Sequence, residues 1–294
     1  MKKGLKVSAL MLALSWLHMA HAESRIELHD VGFSTPESAE YYAAKDLVLV
    51  TNINGHPAAK DRNGFISKVS PEGSIIDLKW LDGEKDGVIL NAPKGMTIIG
   101  NRLFVTDIDA VRVFQLPEGG MVKSIQIRGS SFLNGITPMP DGSVLVTDTG
   151  VNADFAPTGN DAVYQVWADG YYKKLIDMSG MGGPNGVLSD AQGITVVTFG
   201  GGEIYQYDIH GNFKSGPLAV APGLDGLVAL QDGRQLMTGW GESSVYEITA
   251  DGKVKVLIED LDAPADIDID TRRNRLLVPL FKQNRLLMIP LAIP

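Results

Sequence analysis

One short pattern recurs along the chain and restricts its fold more than any other feature: Pro or Leu, a polar residue, usually Gly, then an apolar residue. The six instances are Pro36-Glu37-Ser38-Ala39, Pro93-Lys94-Gly95-Met96, Leu133-Asn134-Gly135-Ile136, Pro184-Asn185-Gly186-Val187, Leu224-Asp225-Gly226-Leu227 and Pro264-Ala265-Asp266-Ile267. Their second positions lie 57, 40, 51, 40 and 40 residues apart. An apolar stretch follows each, ending 14, 12, 13, 13, 13 and 13 residues later at Thr51, Thr106, Thr147, Thr198, Thr238 and Val278. So even a register, with a period near 40 and short apolar runs between Gly, Asp and Asn turns, predicts units of four antiparallel strands. The expected fold is therefore all-β, a six-bladed β-propeller. Asp169-Gly170 and Asp251-Gly252 fit hairpin turns between the outer strands of their units. The sixth unit has room for only three strands, the last at Arg285 to Ile289. The alternating segment Arg25 to Val31 is expected to supply the fourth and close the ring, removing two free sheet edges.

The start of the chain reads differently. Lys2, Lys3 and Lys6 precede an apolar run from Val7 to Trp16, and Ala20-His21-Ala22 follows, the layout of a secretory signal peptide. The expected division is residues 1–22 as signal peptide, cleaved after Ala22, and 23–294 as one propeller domain in the periplasm or outside the cell. No later run approaches the roughly 18 to 20 apolar residues of a membrane helix, so no membrane anchor is expected. The absence of cysteine excludes disulfides, thiol nucleophiles and thiolate metal sites. Loss of three lysines with the leader moves the formal charge from −9 to −12, which argues against nucleic acid and anionic membrane as partners.

In a propeller the first strand of each blade lines the central channel. The residues that open those strands, Glu37, Lys94, Asn134, Asn185, Asp225 and, apolar in the last unit, Ala265, are thus expected to form a ring, with Asp266 beside the last. Antiparallel return of the second strands brings Asn52, Asp107 and Asp148 to the same face as a surrounding shell, and places Trp240 at the mouth as a substrate wall. The longest insertions, Ile53 to Asn63 and Thr149 to Asn160, are expected to roof the mouth. Carboxylates of Glu37 and Asp225 with amide oxygens of Asn134 and Asn185 make an oxygen-only set, suited to one hard divalent cation, Ca²⁺ first, with Mg²⁺ and Mn²⁺ as alternatives. Lys94 opposes a cation there and suits an anionic ligand. His29, His56 and His210 are not spaced to act together, so neither a His-rich zinc centre nor a Ser-His triad is expected.

At these residues the chain resembles the family of regucalcin (senescence marker protein) and bacterial gluconolactonases, and is similar to a secreted branch of it. That resemblance implies a six-bladed propeller holding one divalent cation in its channel and hydrolysing lactones. It implies metal ligation by Glu37, by Asn185 in Pro184-Asn185-Gly186 and by Asp225 in Asp225-Gly226, with Asn134 in Phe132-Leu133-Asn134 contacting substrate or metal. Two positions depart from the family pattern: Ser38-Ala39 follow Glu37 in place of Gly-Pro, and Phe132 stands near the place of a substrate-binding arginine.

The expected function is a metal-dependent hydrolase of a lactone or related small ester, with Asp225 as proton carrier and Lys94, Asn134, Asn52, Asp107, Asp148 and Trp240 around the substrate. The alternative is a non-catalytic propeller that binds a small ligand or a protein partner across the channel.

Overall fold

The computed structural model describes residues 25–249 and 251–291; the expected signal peptide and its cleavage site lie outside the described residues. Six four-stranded antiparallel sheets make up the molecule, and among the described residues there is no helix. Blade one is Pro36–Tyr42, Leu47–Asn52, Phe65–Val69 and Ile75–Asp82, in that order from the axis outward. Blades two to five begin with the inner strands Pro93–Ile99, Leu133–Pro138, Pro184–Asp190 and Leu224–Ala229, each followed by three strands paired in sequence order. Blade six takes Asp268–Asp270, Arg275–Leu280 and Arg285–Pro290 from the end of the chain. Its fourth strand, Ile26–Leu28, comes from the start and pairs Ile26 with Met288 and Leu28 with Leu286. The closure expected from the short sixth unit is the one the structure has.

Alternation explains where the core sits. Strands rich in Val, Ile and Leu bury both faces, and the six large apolar clusters each belong to two neighbouring blades. Leu28 of the closing strand joins Tyr41, Val48, Leu277 and Met288 in the cluster between blades six and one. Burial thus joins blade to blade around the ring. No blade holds a core of its own, which is why a repeat of this kind folds as one unit.

Candidate functional site

The recurring motif is a β-bulge. In each of the first five blades the ladder between inner and second strands slips within it, between Pro36 and Ala39, Pro93 and Met96, Leu133 and Ile136, Pro184 and Val187, and Leu224 and Leu227. One extra residue in the inner strand bends it and re-aims the side chain at the bulge towards the axis. Gly follows because the neighbouring blade's backbone approaches there. A Cβ on Gly95 would lie 2.7 Å from the Asn134 carbonyl oxygen, and one on Gly226 would lie 2.6 Å from Ile267 N. In blades one and six the equivalent residues are Ser38 and Asp266, whose side chains bond each other at 2.7 Å while Asp266 N donates to Glu37 O.

Glu37, Lys94, Asn134, Asn185 and Asp225 all reach one cavity of about 710 Å³ at the end of the channel. Trp240 joins them on its wall. Glu37 and Asp225 are buried, 5% and 3% exposed, yet Glu37 Oε2 and Asp225 Oδ1 have no hydrogen-bond partner. Burial pushes the Glu37 carboxyl well above its ordinary range, Asp225 and Asp266 push it further, and Lys94 acts against them. Burial raises Asp225 likewise, with Asp266 adding to it. Trp240 and Asn185 face Asp225 and favour its ionised form, although Trp240 Nε1 completes no hydrogen bond of ordinary geometry. Lys94 is buried and pulled down to about 8 by desolvation. Its Nζ donates to Pro57 O at 2.9 Å and Ala92 O at 3.1 Å, and lies 4.2 Å from the centre of the Phe132 ring. Asn134 Nδ2 donates to Thr149 Oγ1 at 3.3 Å, which leaves its amide oxygen for the cavity.

Two orphaned carboxylate oxygens among amide oxygens fit a hard divalent cation, and would otherwise face the cost of burying charge without a partner. Among the described residues no group of three or more His, Cys, Asp and Glu is gathered for a metal, so any such ligand set includes amides.

Asn52, Asp107 and Asp148 are not brought to the cavity. All three are fully buried and spent on the backbone leading into their own blade. Asn52 Oδ1 accepts from Ser34 N, Asp107 accepts from the backbone N–H groups of Asn91 and Ala92, and Asp148 from those of Ser131, Phe132 and Gly150. Asp107 is also paired with Arg112 at 2.7 Å. The reason is strand geometry, since successive side chains point to opposite faces. Thr51, Thr106 and Thr147 face the ring, so the next residue faces away.

The sequence reading missed Asp161 and, on the apolar wall, Phe199 and Phe281. The two long insertions do roof the cavity, through Ile53 and Pro57 from one and Val151, Phe155 and Pro157 from the other. Their position after second strands was the available signal. Phe199 and Phe281 stand alone beside strand ends, and nothing local marks them.

No family model and no curated protein matches this sequence. Solved structures do match its shape. A gluconolactonase from Xanthomonas campestris is 16% identical, with 88% of this chain and 87% of that one covered and a TM-score of 0.68. A further structure assigned provisionally to the gluconolactonases is 16% identical over 92% of each chain, with a TM-score of 0.70. Virginiamycin B lyase from Staphylococcus aureus is 15% identical over 92% of this chain and 99% of that one, with a TM-score of 0.64. The chain has a six-bladed β-propeller of gluconolactonase-like fold.

Proposed function

We propose that the cavity is the active site of a hydrolase for a lactone or related small ester, working with one divalent cation held by Glu37, Asn185 and Asp225. The observation that carries this reading is the pair of buried, unpartnered carboxylate oxygens on Glu37 and Asp225, facing one cavity among amides. A divalent cation bound there supplies a Lewis acid for the carbonyl oxygen and acidifies a water, Ca²⁺ matching the all-oxygen donors best. Asp225 takes the proton of the attacking water. As the ring C–O bond breaks, it returns that proton to the departing oxygen, a role suited to a carboxyl whose pKa burial has raised. Asn134, its amide nitrogen anchored on Thr149, offers its amide oxygen to the cation or to a donor group of the substrate, and the roof loops keep bulk water out. Virginiamycin B lyase is described as catalytically inactive when one histidine is replaced by alanine. His29 and His210 are absent from this cavity's lining and His56 meets it only through Phe155 in the roof, whereas Glu37 and Asp225 stand on its floor, which favours carboxylate-based hydrolysis over a histidine-dependent reaction.

Calorimetric titration of metal-stripped protein tests the ligand set. Asp225→Asn and Glu37→Gln should each weaken cation binding by on the order of a few kcal/mol, about tenfold for every 1.4 kcal/mol. Excess metal should restore more activity to Glu37→Gln than to Asp225→Asn, which has also lost its proton carrier. Wild-type affinity in both variants would remove these ligands from the proposal. A panel of γ- and δ-lactones, assayed with metal and after EDTA, separates the enzyme from the binder. Inactivity of folded, metal-loaded protein across the panel would leave a ligand-binding propeller, a reading that the large apolar wall also supports.

A further inference from the structure

The inner strands bring Glu37, Lys94, Asn134, Asn185 and Asp225 to the floor of this cavity, Thr149 and Asp161 add polar groups beside the second roof loop, and two of its sides are aromatic. On one side Trp240 packs between Phe199, ring centres 5.3 Å apart and edge-on, and Phe281 at 5.1 Å. On the other, Phe132 lies 6.1 Å from Phe155, which in turn lies 5.4 Å from His56 of the opposite roof loop.

Phe155 is the unusual member. It is 52% exposed at the tip of its loop, and its φ is 59°, a left-handed backbone that a bulky side chain adopts only at a cost. The loop enforces that conformation. Asn152 Oδ1 accepts from Asp154 N and Ala156 N, and Asn152 O accepts from Phe155 N. The chain thus holds a large apolar ring, half in water, over the mouth of a cavity. Unliganded, that arrangement gains little from burial. With an apolar group beneath it, the exposed face of the ring is covered.

We propose that the ligand of this site is an amphiphilic small molecule, its ester or lactone oxygens set on the floor and an aromatic body held between the Phe132–Phe155 and Trp240–Phe281 walls. A polyhydroxylated sugar lactone fits this cavity poorly. Its hydroxyls would lose water against Phe, Ile and Pro, and burying such groups without partners is costly. A cavity of about 710 Å³ also exceeds what one sugar ring fills and lies in the range of drug-sized ligands. The inference rests on the hydrolase reading for the ester or lactone group and stands independently of it for the apolar body.

The test uses two lactams that share the ring carbonyl and are not hydrolysed: 6-phenyl-δ-valerolactam and glucono-δ-lactam. Binding to the metal-loaded protein is followed by calorimetry and by tryptophan fluorescence. The phenyl lactam should bind at least about tenfold more tightly. Phe155→Ser, on an exposed side chain and with its melting temperature checked, should remove several-fold of that preference while leaving glucono-lactam affinity unchanged. Equal or tighter binding of the glucono-lactam, no binding of either lactam, or a preference untouched in Phe155→Ser would overturn the inference. Turnover of the matching lactones keeps the two readings apart. Tight phenyl-lactam binding without hydrolysis of the phenyl lactone removes the hydrolase and keeps the aromatic ligand. Hydrolysis of the glucono-lactone in preference to the phenyl lactone does the reverse.

Discussion

At Gly186 the geometry of the site depends on a missing side chain. Its backbone is in an ordinary conformation, so φ is not the reason for glycine. A Cβ there would run into the carbonyl oxygen of Asp225 and lie 3.0 Å from Val197 Cγ2 and 3.2 Å from Leu227 Cβ. Alanine must therefore push away the backbone segment that carries the ring carboxylate. Gly186→Ala is expected to cost about 2 kcal/mol in denaturant unfolding, in the range of overpacked cores, and to weaken cation binding in the same variant. Gly120→Ala is the control, since nothing lies within 4 Å of its added carbon; equal losses in both variants would separate Gly186 from the site. The ring residues were legible in the sequence because the motif around them repeats. Asn52, Asp107 and Asp148 recur at equivalent places in the first three blades, yet what recurs there is a backbone cap. Repetition marks a structural requirement, and only a side chain left without a partner, as in Glu37 and Asp225, marks something more.

Threonines at the ends of the second strands tie one blade's site residue to the next. Thr147 Oγ1 accepts from Gly135 N of its own blade at 2.9 Å and donates to Asn185 O of the following blade at 2.6 Å. Thr106 donates to Asn134 O, and Thr238 accepts from Gly226 N and donates to Ala265 O, in the same arrangement. Thr51 and Thr198 break the pattern, the Thr51 hydroxyl bonding only Ser38 and the Thr198 hydroxyl turning to the backbone of Glu203, each in its own blade. At Thr147 and Thr238 the 13-residue register seen in the sequence is the distance from a bulge to its staple, and at Thr106 that distance is 12. The register was legible, but its chemistry was not, because the partner is a main-chain atom 27 to 38 residues away. Thr147→Val keeps the shape and leaves a buried donor and a buried acceptor unpaired, at about 1–3 kcal/mol. Because one of those groups belongs to Asn185, cation affinity should fall with stability. Thr198→Val should lose stability and keep its affinity. Parallel behaviour of the two variants in the metal titration would show that the staple does not position the ring.

Over the whole molecule, the closed ring gathers more negative charge into its channel than the channel can neutralise. Beyond Glu37 and Asp225, further along the inner strands, lie Asp266, Asp268 and Glu40. Burial pushes Asp266 up to about 7 and Asp268 up to about 6, and raises Glu40 well above the ordinary range, with Asp268 and Asp266 adding to it. A carboxyl whose pKa is higher in the folded protein than in the unfolded chain holds its proton longer when folded. Its contribution to stability is intact below the unfolded value near 3.8 and is lost as pH rises through the folded value. Lys94, held down to about 8, is charged throughout this interval and adds no slope to it. Surface carboxylates such as Asp141 and Asp208, lowered by their hydrogen bonds, work the other way and lose stability only as pH falls below the ordinary carboxylate range. Metal-stripped protein should consequently be most stable near pH 4–5 and lose melting temperature from pH 5 to pH 7, the opposite of ordinary acid denaturation. Asp268→Asn removes one of the responsible protons without touching the proposed cation ligands, so it should flatten that slope and raise the melting temperature at pH 7 more than at pH 5. Added Ca²⁺, which supplies the missing positive charge, should stabilise the wild type more at pH 7 than at pH 5. Scanning calorimetry of both proteins at the two pH values, with and without Ca²⁺, measures all of this. A melting temperature that rises from pH 5 to pH 7 without metal would mean that the channel carboxyls are already neutralised by contacts within the protein, and that the closed ring creates no demand for a cation.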